Sequence, residues 1–133
     1  MRSKILIVAV AAATALATAS LALAGMMHRT LGAHLSGMGE HGIVNLQSHA
    51  RQGRLCWTFQ MSVKHVTAAT VRDTHGMIVA HLGHMYRAKG CAMEPKRALR
   101  MIANKPASYR VWVATAQHPG ELRGKLFAGM AHM

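Results

Sequence analysis

The alternation running from Arg54 to Val63 constrains this chain more than any other feature. Leu55, Trp57, Phe59, Met61 and Val63 point one way, while Cys56, Thr58, Gln60 and Ser62 point the other. Apolar residues at every second position define a strand with one buried face and exclude an amphipathic helix, whose apolar face repeats every three to four residues. Such a strand needs partners beside it and a layer over its apolar face. Ile43 to Ala50 alternates more weakly and Arg51-Gln52-Gly53 reads as a turn, so the two runs are expected as a hairpin. Met77–Leu82, Tyr109–Thr115 and Leu122–Phe127 are further β-rich runs, and Leu31–Ser36 is a candidate first strand. From Glu94 to Ala103 the pattern changes. Pro95 stands at a first helical position, helix formers follow with Leu99 and Ile102 three apart, and Asn104-Lys105-Pro106 stops the run. That predicts a short helix of two to three turns. Several short strands separated by turn residues, with one small helix, predict an all-β fold: an antiparallel β-sandwich or open barrel.

A chain of 133 residues holds one small domain and not two, and 51% hydrophobic residues exclude a disordered basic tail. Much of that apolar content lies at the start. Arg2 and Lys4 form a positive flank, Ile5 to Leu23 is apolar or small, and Ala22-Leu23-Ala24 is an A-x-A cleavage signature, so residues 1–24 read as a secretory signal peptide. The rival reading is an uncleaved anchor, since about 20 apolar residues span a bilayer. The many alanines, with Thr14, Thr18 and Ser20, make a weak permanent span. Either reading places the rest of the chain outside the cytoplasm, secreted, periplasmic or in the cell envelope. The remainder divides into a flexible segment at 25–30, a β domain over 31–127 and a flexible tail at 128–133.

Two cysteines in an exported chain read first as a disulfide. Cys56 and Cys91 would close a loop of about 36 residues, worth roughly 4 kcal/mol by loop entropy. They lack the CxxC spacing of a zinc or redox site, and nothing around them marks an activated thiol.

The order of these pieces resembles the CHRD domain, named for its occurrence in chordin and common in exported bacterial proteins. The resemblance covers about residues 31 to 127. It is carried by Ile102-Ala103-Asn104-Lys105-Pro106, by Tyr109-Arg110-Val111-Trp112-Val113-Ala114-Thr115, and by Pro119-Gly120-Glu121-Leu122-Arg123-Gly124-Lys125-Leu126. These are similar to the family's I-x-N-P, Y-x-V-x-V-H-T and P-x-G-E-x-R-G-x-L. Leu55-Cys56-Trp57, Val66-Thr67-Ala68-Ala69 and Gly90-Cys91 support it. The resemblance implies an immunoglobulin-like or superoxide-dismutase-like Greek-key sandwich, an extracytoplasmic location and no established enzymatic activity. Asn104, Pro106, Tyr109, Pro119, Gly120, Glu121, Arg123 and Gly124 carry its motif, and a structural role is expected for them. Pro119-Gly120 reads as a turn and Gly124 as a close backbone approach.

Where the family carries A-H-I-H and V-H-T, this chain has Ala69-Thr70-Val71-Arg72 and Val113-Ala114-Thr115. All three histidines are replaced, by Thr70, Arg72 and Ala114, and an arginine repels a metal cation. A dismutase-like copper site is therefore not expected. Histidine and methionine gather elsewhere, at Met26-Met27-His28, His81-Leu82-Gly83-His84-Met85 and Ala131-His132-Met133. His81, His84 and Met85 are weak candidates for copper(I), which favours thioether and imidazole ligands. The plainer reading has methionine filling core gaps and histidine decorating a basic surface.

The charge is lopsided, with 16 Lys+Arg against 4 Asp+Glu. Cleavage would remove Arg2 and Lys4 and no acid, leaving 109 residues at +10. Such a domain is drawn to anionic surfaces. Sequence-specific nucleic-acid recognition is not expected from six aromatics, no stacking motif and an export signal. Glu40, Asp73, Glu94 and Glu121 are the only acids, and no catalytic triad or phosphate loop is present. The sequence thus reads as an exported, non-enzymatic binding or structural module of the cell envelope, without a cofactor, whose expected partners are anionic envelope surfaces. The alternative is a periplasmic copper-handling protein using His and Met.

Overall fold

Most strands of this chain have one apolar face, and the eight described strands form a single sheet wrapped around one core. The computed structural model describes residues 28–118 and 120–133, with His28 described by its backbone only. The signal segment 1–24, Met26-Met27 and Pro119 lie outside the described residues. The strands are β1 (His28–Gly37), β2 (Glu40–His49), β3 (Arg54–Met61), β4 (Val66–Arg72), β5 (Ile78–His81), β6 (Lys89–Met93), β7 (Arg110–Thr115) and β8 (Leu122–Ala128). Helix α1 (Lys96–Asn104) stands between β6 and β7.

The expected all-β fold with one short helix is what forms. All eight strands pair antiparallel in the order β5-β4-β7-β8-β1-β2-β3-β6. Instead of two separate sheets, one continuous sheet curls until it nearly closes, the open-barrel form of the expected architecture. Its edge strands β5 and β6 do not share a backbone ladder. A carboxylate links them, the His81 amide donating to Glu94 Oε1 at 2.8 Å.

The β2–β3 hairpin holds the register its alternation requires. Leu46 stands opposite Trp57 and Val44 opposite Phe59 on the inner face. These join Leu31, Leu35, Leu55, Val71, Val111, Val113, Leu122 and Leu126 in one core. Leu99 and Ile102 of α1 complete it from one end, and the Arg29 guanidinium donates to the Ala103 carbonyl at 2.6 Å near the helix C-terminus. Pro95 is the N-cap, one position before the first helical residue where the sequence pattern put it.

Two strands escape that pattern. β4 is built from small and β-branched residues, and a register shift between Val66 and Ala68 interrupts its period. β6, Lys-Gly-Cys-Ala-Met, has little apolar bulk, and it pairs with β3 along five residues. The expected flexible ends are also partly held. β1 begins at His28, so residues 28–30 belong to the sheet. In the tail, the Asn45 amide donates to the Ala131 carbonyl at 3.2 Å and the Ala131 N–H donates to Asn45 Oδ1 at 2.7 Å. The residue at that point is 2% exposed. A polar side chain on β2 satisfies both backbone groups of Ala131, which composition alone does not reveal.

Candidate functional site

Pairing of β4, β7 and β8 assembles one exposed face from side chains that alternate with the buried valines and leucines. Arg72 stands opposite Arg110, and Arg110 opposite Lys125. In the next row Thr70 stands opposite Trp112, and Trp112 opposite Arg123. Four cations therefore share the outer face of these strands with one tryptophan. The Arg72 guanidinium lies 4.3 Å from the Trp112 ring centre, reaching it from the β4 side. That of Arg123 lies 3.8 Å away, from the β8 side. Cation–π attraction holds both guanidinium groups against the indole. Arg72 also donates to Thr70 Oγ1 at 3.1 Å and to the Gly76 carbonyl at 3.3 Å. Trp112 Nε1 is buried and has no hydrogen-bond partner among the described residues.

The described motif residues take separate places in the fold. A Cβ at Gly120 would come within 2.9 Å of the Arg123 guanidinium and 3.2 Å of Trp112, so glycine leaves room for the stack. At Gly124 a Cβ would run into the His34 carbonyl, which is why β8 approaches β1 closely there. Glu121 accepts from the Thr115 hydroxyl at 3.5 Å. Tyr109 is buried, and its carbonyl accepts from the Leu126 amide at 3.0 Å. Asn104 ends α1 and Pro106 opens a 3₁₀ turn. Of the three residues read from the sequence as replacing histidine, Thr70 and Arg72 belong to this basic face, and Ala114 lies on the same face of β7, opposite Ala68.

A second feature is the seam between the sheet edges, where an open cavity of about 870 Å³ sits over Trp57. His81, His84, Met85, Met93 and Glu94 line it, so the candidate ligands lie together with a methionine from β6 that the sequence pattern did not single out. Among the described residues no three His, Cys, Asp or Glu side chains are grouped to hold a metal ion. The disulfide Cys56–Cys91 is formed, its two residues paired directly across β3 and β6 with Cα atoms 4.0 Å apart. Tyr86 packs against Phe59 near the seam, and burial raises the pKa of its hydroxyl.

Methionine does not behave as a core filler here. Seven of the eight described methionines are exposed, Met85 at 77% and Met93 at 73%, and Met61 alone packs against the core. Met130 and Met133 sit with His132 around a second open cavity of about 670 Å³, over the outer face of β2, β3 and β6. Among the described residues no helix is long and apolar enough to cross a membrane. No known protein family, curated protein or solved structure matches this chain.

Proposed function

We propose that this chain is an exported, non-enzymatic binding module of the cell envelope, of the CHRD type, recruited by its charge to anionic surfaces. The observation that supports this reading is the outer face of β4, β7 and β8. Arg72, Arg110, Arg123 and Lys125 share it, and no acid stands opposite any of them. The disulfide agrees with export to an oxidising compartment. Binding to anionic vesicles or anionic wall polymer tests the reading. Association is expected at low salt and should weaken steeply as the Debye length falls below about 10 Å. Association absent at low salt, or equal on neutral vesicles, would count against it.

Copper handling is the second reading, and the exposed His81, His84, Met85 and Met93 around one cavity favour it. It requires one equivalent of copper(I) to raise the melting temperature substantially, and that gain to vanish in His81→Ala/His84→Ala. Without a built site in the core, little change is expected, because loosely held ligands do not couple to folding.

A further inference from the structure

Three cations face one another across three neighbouring strands. Arg72, Arg110 and Lys125 occupy directly opposite positions on β4, β7 and β8, where strands run roughly 4.8 Å apart. Like charges directly opposite on one face are destabilising. A sheet that needed only solubility would place acids between them, yet every acid of this chain is engaged elsewhere. Glu40 accepts from Ser62, Asp73 from the His75 and Met77 amides, Glu94 from the His81 amide and Glu121 from Thr115. Among the described residues no acid stands directly opposite a member of the row, and Arg123 adds a fourth charge one row away.

We infer that this row is the docking face for a linear polymer of phosphate groups lying across β4, β7 and β8. This rests on the proposed recruitment by charge and gives it a place and an occupant. The four cations spread over two adjoining rows of three strands, Arg110 and Lys125 in one and the guanidinium groups of Arg72 and Arg123 beside Trp112 in the other, which matches an array of charges better than a single anion. Both the Arg72 and Arg123 guanidinium groups lie against the Trp112 ring, so the indole is already engaged by cations of this chain. The face reads charge spacing. Arginine forks pair bidentately with the two non-bridging oxygens of a phosphate unit, and lysine binds phosphate as a point charge.

The test uses the full mature chain, inorganic polyphosphate as the probe, and two variants that lose the same charge. Arg110→Gln/Lys125→Gln removes two exposed cations from the row, and Arg97→Gln/Arg100→Gln removes two exposed cations from α1. The row variant should bind at least tenfold more weakly than the parent at low salt, and the helix variant less than threefold more weakly. The row variant should also melt no lower than the parent, since a repulsive pair has been removed. Equal losses in the two variants would overturn the docking face while leaving recruitment by charge intact. Tighter binding to anionic vesicles than to polyphosphate, or equal affinity for free inorganic phosphate, would overturn the linear occupant. No binding to either polyphosphate or anionic vesicles at low salt would remove the functional reading itself.

Discussion

Two glycines of one short motif do different work, and their substitution should separate them. At Gly124 an added Cβ meets the His34 backbone, which is fixed by the β1–β8 and β1–β2 ladders. At Gly120 it meets the exposed Arg123 side chain, which can give way at the cost of its stack, and Trp112 at 3.2 Å. Gly124→Ala is therefore expected to cost about 2 kcal/mol or more, as overpacking against backbone does. Gly120→Ala should cost under about 1 kcal/mol, the worth of an exposed cation–π contact. It should also change the near-ultraviolet circular dichroism of Trp112. Chemical denaturation of both variants checks the order, and a larger loss at Gly120 would contradict it. The close approach at Gly124 was legible in the sequence. The stack of Arg123 on Trp112 was not, because it depends on which strand β7 pairs with.

Among the elements, those with large alternating side chains were legible and those with small ones were not. β3 announced itself through Leu55, Trp57 and Phe59, whereas β6 offers Gly90, Cys91 and Ala92, and a Cβ at Gly90 would come within 2.9 Å of Trp57. β6 is an edge strand with little apolar area of its own, and the Cys56–Cys91 bond adds a covalent tie to its five-residue ladder with β3. Cys56→Ser/Cys91→Ser is expected to lower stability by about 2–4 kcal/mol. Local loosening should precede global unfolding, because an edge strand opens at less cost than the core. Hydrogen exchange in the double variant should rise first at residues 89–93, with β1 and β2 still protected. Uniform acceleration over all strands would show that the bond acts only through the unfolded chain.

At the scale of the whole molecule, one charge imbalance acts on stability and association with opposite sign. The chain carries 16 basic against 4 acidic side chains, and its acids accept hydrogen bonds from a hydroxyl or from backbone amides. Self-repulsion among the cations destabilises the compact state, while attraction to an anionic partner stabilises the complex. Dissolved salt screens both over the same range, since the Debye length falls from about 30 Å at 0.01 M to about 10 Å at 0.1 M. Charge sign was plain from composition. The concentration of cations on one sheet face needed the register of β4, β7 and β8, which no local pattern encodes. The expected outcome is a melting temperature that rises between 0.01 M and 0.1 M salt, while affinity for an anionic polymer falls over the same interval. Sodium chloride is the salt to use, because sulfate and phosphate strengthen burial by exclusion from the surface and would raise stability for a different reason. In Arg110→Gln/Lys125→Gln both slopes should shrink together, since the same two charges feed both effects. A melting temperature that falls with added sodium chloride would mean that attractive pairs, not the repulsive row, dominate the folded state.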